Sequence, residues 1–264
     1  MSADILETIA AANRLRVAEK KARKPMERVM AEAQAMNCDT GFPFESALRN
    51  QDMAFICECK KASPSKGLIA PEFPYLGIAR EYENAGAAAI SVLTEPQWFL
   101  GEDAYLQEIA AAVKTPCLRK DFTVDAYMLY EAKTLGAAAV LLICSLLEAK
   151  TLEAYLKICD CLGLSALVEA HDDEEIRMAV DCGARVIGVN NRNLRNFTVD
   201  VENSARLRAF APKDVLFVAE SGIRTPEDVE QLRQADIHAV LIGETLMRAG
   251  DKAAMLRHLR GERE

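Results

Sequence analysis

From residue 53 onward one pattern recurs: a short apolar run, then a longer stretch whose apolar positions fall three and four apart. Eight short runs occur, at 53–57, 88–93, 116–120, 139–143, 165–169, 185–190, 215–220 and 239–242. Nearly continuous apolar character over so few residues is what a strand buried on both faces requires. The stretches between them predict helices at 74–85, 102–113, 125–135, 149–162, 172–182, 200–209 and 225–235, with a last one near 251–260. Several of these end in glycine, as in Asn84-Ala85-Gly86, Thr134-Leu135-Gly136 and Asp181-Cys182-Gly183. Glycine there accepts the left-handed conformation that terminates a helix. Thr225-Pro226-Glu227-Asp228 reads as a helix start, a capping hydroxyl followed by proline and acids.

Strands alternating with helices imply a parallel sheet covered by helices. Eight such units close into a (β/α)8 TIM barrel more naturally than into an open sheet. A doubly wound fold is the rival, but no G-x-G-x-x-G follows the first strand. The 264 residues suit one barrel of roughly 250 residues. Residues 1–50 differ from the rest. Ile5, Leu6, Ile9, Leu15 and Val17 recur at helical spacing in a polar, basic stretch. They predict one or two N-terminal helices packed on the barrel within a single domain, 1–264. The cluster Lys20-Lys21-Ala22-Arg23-Lys24 reads as a solvated helix face.

Composition narrows the function. Half the residues are hydrophobic, enough for a large core and against disorder. The formal charge of −8 repels nucleic acid and anionic lipid, so neither is an expected partner. An anionic ligand then needs a local cluster of cations. Eight cysteines mostly sit in apolar runs, with C-x-C pairs only at 57/59 and 159/161, and the three histidines add no zinc-like spacing. They are expected to be reduced core residues, with no metal. No signal-peptide pattern or long apolar run is present, so a soluble, cytoplasmic protein is expected.

In such barrels the site lies at the C-terminal ends of the strands. Those ends are polar here. The first carries Glu58-Cys59-Lys60, whose alternation puts Glu58 and Lys60 on one face and the cysteines on the other. The third ends in Lys120, the fifth in Glu169 with His171 just beyond, the sixth in Asn190-Asn191-Arg192, the seventh in Glu220-Ser221-Gly222. Two lysines and three glutamates in one mouth are costly unless paired and used. Ser221-Gly222 and Gly243, with a short helix expected at 244–248, suit a phosphate site. The polar loop 61–67 reads as a mobile lid that adds Ser63.

These residues, in this order, resemble one family. Glu58-Cys59-Lys60-Lys61-Ala62-Ser63-Pro64-Ser65, Leu93-Thr94-Glu95, Leu118-Arg119-Lys120-Asp121-Phe122, Val168-Glu169, Gly188-Val189-Asn190-Asn191-Arg192-Asn193-Leu194, Glu220-Ser221-Gly222-Ile223 and Ile242-Gly243 are similar to indole-3-glycerol-phosphate synthases, over nearly the whole chain. The resemblance implies ring closure with decarboxylation and dehydration of 1-(2-carboxyphenylamino)-1-deoxyribulose 5-phosphate, a carboxy-lyase step of tryptophan biosynthesis. It implies a small phosphorylated substrate and no cofactor. It also implies Lys120 as the acid at the ribulose carbonyl, Lys60 beside the carboxylate and Glu169 as the base. Two ammonium groups so close should lower each other's pKa, with Glu58 and Glu169 opposing that by pairing. Asn190 and Glu220 then hold the sugar and anchor the lysines, and Arg192 flanks the substrate. Ser63, Ser221, Gly222 and Gly243 form the phosphate cradle, and Phe99, Phe122 and Leu141 the wall for the aromatic ring. Glu244 departs from members with serine at that place and is expected to turn away from the ligand. Trp98 fits rim packing as well as ring contact, and His171 takes a structural role. Phosphoribosylanthranilate isomerase, which would need a cysteine–aspartate pair, and a non-catalytic phosphate-ligand barrel are the alternatives.

Overall fold

The computed structural model describes residues 5–192 and 198–262. Eight parallel strands form a closed barrel: β1 (Ala54–Cys59), β2 (Ala89–Leu93), β3 (Cys117–Lys120), β4 (Ala139–Ile143), β5 (Ser165–Ala170), β6 (Val186–Asn190), β7 (Leu216–Glu220) and β8 (Ala239–Ile242). Each pairs with its neighbours in chain order, and β1 closes on β8 with Ala54 opposite Ala239. All eight fall on the expected apolar runs.

Alternation along each strand sorts two cores. On β1, Ala54 and Ile56 point into the barrel with Leu118, Leu141, Leu167, Val218 and Leu241. Phe55, Cys57 and Cys59 point outward to the layer between sheet and helices. Glu58, on the inward face, therefore reaches the barrel mouth. The thiols of Cys57, Cys59, Cys117, Cys144 and Cys159 are buried, Cys161 is exposed, and none of the eight is in a disulfide. Burial pushes the Cys57 thiol up to about 12, so it packs as a neutral group.

The surrounding helices are α4 (Tyr75–Asn84), α5 (Asp103–Ala112), α6 (Tyr127–Thr134), α7 (Ala149–Leu162), α8 (Asp173–Asp181), α9 (Glu202–Arg208), α10 (Pro226–Gln234), α11 (Glu244–Arg248) and α12 (Lys252–Leu259). The start of α10 is a full capping box, Thr225 and Asp228 each bonding the other's backbone N–H.

Among the described residues, the first fifty positions hold three helices rather than one or two: α1 (Ile5–Arg23), α2 (Met26–Gln34) and α3 (Pro43–Arg49). Phe44 and Leu48 of α3 are fully buried against Ala54, Val186, Leu216 and Ala239 at the strand starts, closing the barrel floor. Glu45 fastens that floor, accepting from the Arg185 guanidinium and from Ser165. α1 lies over the opposite end, where Leu6 and Ile9 join the inner core with Phe122, Leu141 and Ile143. Leu15 is 70% exposed, so it marks helical spacing without belonging to the buried face. The basic cluster is not simply a solvated face. Lys20 pairs with Asp103 and Glu131, and Lys21 with Asp125, fixing the end of α1 to α5 and α6.

Candidate active site

A cavity of about 570 Å³ opens at the C-terminal ends of the strands. Every site residue expected from the sequence lines it: Glu58, Lys60, Ser63, Phe99, Lys120, Phe122, Leu141, Glu169, Asn190, Arg192, Glu220, Ser221, Gly222 and Gly243. Asn193 and Leu194 of the quoted motif lie outside the described residues.

Lys120 is the centre of the polar half. Its Nζ stands 3.4 Å from Glu169 Oε2 and 3.4 Å from Glu220 Oε2. Asn190 Nδ2 donates to Glu169 Oε1 at 3.4 Å, and Asn190 Oδ1 accepts the Arg192 N–H at 3.0 Å. Lys60 pairs with Glu58, whose other oxygen accepts from Ser91 Oγ at 3.3 Å. Two glycines make room for these carboxylates. A Cβ on Gly188 would strike Glu220 Oε1, and one on Gly243 would strike Glu58 Oε1 and crowd Lys60.

The electrostatics differ from the expectation that the lysines lower each other's pKa. Burial works to lower that of Lys120, but the carboxylates of Glu220, Glu169 and Glu58 outweigh it and hold the ammonium well above its ordinary value. Neighbouring carboxylates, not the second lysine, set its charge. The two carboxylates beside it diverge. Burial pushes Glu220 up to about 7, reinforced by Glu169 and Glu58 against the pull of Lys120. Burial also raises Glu169, but Lys120 and His171 overcome it and leave Glu169 below the usual range. The site thus holds one ionised carboxylate and one poised near neutrality on either side of a protonated amine.

The apolar half faces this group. Phe99 and Phe122 lie with ring centroids 6.0 Å apart and planes at 41°, and Leu141 lies in the inner core beside Phe122. Phe99 is placed by a turn that the sequence did not reveal. The buried Glu95 carboxylate accepts the backbone N–H groups of Gln97, Trp98 and Phe99 at 2.9, 2.7 and 3.0 Å. Trp98 packs against the inner core and does not line the cavity. Leu6 and Ile9 of α1 do line it. Their contribution was hidden because nothing in a helical pattern says which distant surface it covers.

At the other end, Ser221 has a φ of +67° and Gly222 one of +87°. Asn191 Nδ2 donates to the Ser221 carbonyl at 3.1 Å and steadies the turn. The loop expected as a mobile lid carries a small antiparallel hairpin, Ala62–Ser63 against Gly67–Leu68. Lys66 at its tip stands 3.5 Å from Glu244 Oε1. Glu244 does not turn away. It lines the cavity, bonded by Arg248 at 3.1 Å and with Arg192 3.9 Å from it. Its charge is met by cations, which removes the reason for it to avoid an anionic ligand.

His171 stands between Glu169 and Glu175. Its Nε2 stands 3.4 Å from Glu169 Oε1, and its Nδ1 3.2 Å from Glu175 Oε2.

A closed barrel with a buried lysine–carboxylate centre beside an aromatic wall defines the class, a (β/α)8-barrel enzyme. Among solved structures, 3-hexulose-6-phosphate synthase superposes with a TM-score of 0.66 over 80% of this chain and 100% of that one, at 14% identity. That likeness concerns the fold. Residues 6–259 match the family model for indole-3-glycerol phosphate synthase. The chain is 54% identical to the indole-3-glycerol phosphate synthase of Ruminiclostridium cellulolyticum, over 97% of its own length and 99% of that protein's. It is 51% identical to that of Lachnoclostridium phytofermentans, over 97% and 98%. The chain belongs to the indole-3-glycerol phosphate synthase family.

Proposed function

We propose that the protein converts 1-(2-carboxyphenylamino)-1-deoxyribulose 5-phosphate into indole-3-glycerol phosphate, carbon dioxide and water. The observation that carries this reading is the placement of Lys120, clamped between Glu169 and Glu220 in a cavity walled by Phe99 and Phe122. The ring carbon bearing the carboxylate attacks the ribulose carbonyl carbon, and the carbonyl oxygen takes a proton from Lys120. Lys60 balances the substrate carboxylate until carbon dioxide leaves and the ring regains aromaticity. The new hydroxyl then departs as water, taking a second proton from one of the two lysine ammonium groups, while Glu169 removes a proton from the neighbouring carbon. Glu58 orients Lys60, and Glu220 and Asn190 orient Lys120 and Glu169. The phosphate sits against Ser63, Ser221, Gly222 and Gly243, with Arg192 supplying charge. Phe99, Phe122 and Leu141 hold the aryl ring beside the reacting atoms.

Among the described residues no helix is long and apolar enough to cross a membrane. The unpaired thiols support a cytoplasmic location. The activity is tested by incubating the protein with the substrate in chelator, without added cofactor, and following indole fluorescence. Growth of fluorescence is the expected result. Silence from folded protein overturns the reading.

A further inference from the structure

We propose that His171 is a positioning residue for the base: as an imidazolium it holds one oxygen of the Glu169 carboxylate while Lys120 holds the other. This rests on the reading of Glu169 as base.

The geometry divides the carboxylate. Oε2 faces Lys120 at 3.4 Å, and Oε1 faces His171 Nε2 and Asn190 Nδ2, each at 3.4 Å. The imidazole is itself fixed from behind. Glu175, in the first turn of α8, takes both the backbone N–H of His171 at 2.7 Å and the ring Nδ1 at 3.2 Å. Asp172 in turn bonds the Glu175 N–H at 2.9 Å. Both ring nitrogens thus face carboxylate oxygens, and only the doubly protonated ring can donate in both directions. Nε2 is buried and completes no hydrogen bond among the described residues, so it meets Glu169 as an ion pair.

The local charges favour a further cation beside Glu169. Lys60 is engaged by Glu58, and Lys120 alone is shared by Glu169 and Glu220. An imidazolium offsets the negative charge that remains on this pair once Glu220 loses its proton. The charged groups that act on His171 are Glu175 on α8, Glu169 on β5 and Glu220 on β7, while Asp172 caps α8 through the Glu175 N–H. Lys120 lies behind the carboxylates, Asn190 on β6, and the Cys144 thiol follows β4. Burial works against the charge, but Glu175, Glu169 and Glu220 outweigh it and lift His171 to about 8. The ring is therefore charged at neutrality and loses its charge as pH rises through about 8. The same positive charge makes Glu169 a weaker base, so its service is to keep the carboxylate ionised and aimed.

The test is the pH dependence of the single-turnover rate in the wild type, His171→Asn and Glu175→Gln. Wild-type rate should fall as pH rises through about 8. His171→Asn should be slower by about tenfold at pH 7 with KM nearly unchanged, and should lack that alkaline limb. Glu175→Gln should keep the limb but move it to lower pH, which reads the same coupling if His171→Asn does not fold. A wild type without the limb overturns the proposal. So does a limb retained in His171→Asn or left in place in Glu175→Gln. Turnover unaffected by Glu169→Gln would instead overturn the base reading and is scored separately.

Discussion

Gly188 on β6 lies so close to Glu220 on β7 that a single added methyl group would strike the carboxylate. The absence of a side chain at one position thus sets where the carboxylate beside Lys120 rests. Gly188→Ala should displace Glu220 and cut kcat by about ten- to a hundredfold, since small misplacements are expensive at a reacting centre. The obstructing atom is the end of a flexible side chain, so the cost in stability should stay within about 1–3 kcal/mol. Steady-state kinetics and a thermal melt on the same sample separate the two. An equal loss in both would make Gly188 a packing residue only.

Lys120→Ala should abolish turnover while the fold survives. It removes the proton donor and leaves Glu169 and Glu220 facing each other across the gap. Circular dichroism should be unchanged. Near-normal activity would take Lys120 out of the acid role.

Ser221→Asp should raise KM by tenfold or more, about 1.4 kcal/mol, by setting a like charge in the turn proposed for the phosphate. An unchanged KM places the phosphate elsewhere.

Asp121, next to Lys120, accepts from Asn13 at 2.9 Å, Arg16 at 2.6 Å and Thr94 at 2.7 Å. Burial raises its pKa, but Arg16 and Arg119 overcome that and hold it below the ordinary value. A depressed carboxylate contributes stability above its unfolded pKa and loses it as pH falls through the folded one. Asp121→Asn should therefore be less stable at pH 7, by about 1–3 kcal/mol, since Arg16 loses its carboxylate while Arg119 keeps Asp103 and Glu131. The gap should narrow only in acid, below the usual aspartate range. Denaturant melts at pH 7 and pH 3 check both halves.

The barrel strands were legible because each is short, apolar and bounded by helical spacing. The inward aim of Glu58 followed from the twofold alternation of a strand. Residues that act at strand ends could be read directly, since topology alone brings strand ends together. What depends on distant packing could not be read. Leu6 and Ile9 carry the same helical signature as Leu15, yet two of them line the cavity and one faces solvent. The Lys120 environment was misjudged because spacing shows that two lysines share a mouth, not that each is nearer to carboxylates. His171 was read as structural because its spacing from Glu175 shows a local pair, whereas the aim of its other nitrogen at Glu169 depends on how the chain turns after β5.

The roof of the cavity and the strand bearing Lys120 are joined by bonds from Asn13 and Arg16 to Asp121, spanning 108 and 105 residues. During synthesis, α1 is therefore made long before its docking surface exists. Leu6 and Ile9 must wait, uncovered, until the third strand and its neighbours have emerged. Barrel closure between β1 and β8 comes later still. The helix that completes the ligand chamber is made before the strands it covers, so a working chamber depends on a contact that the order of synthesis delays.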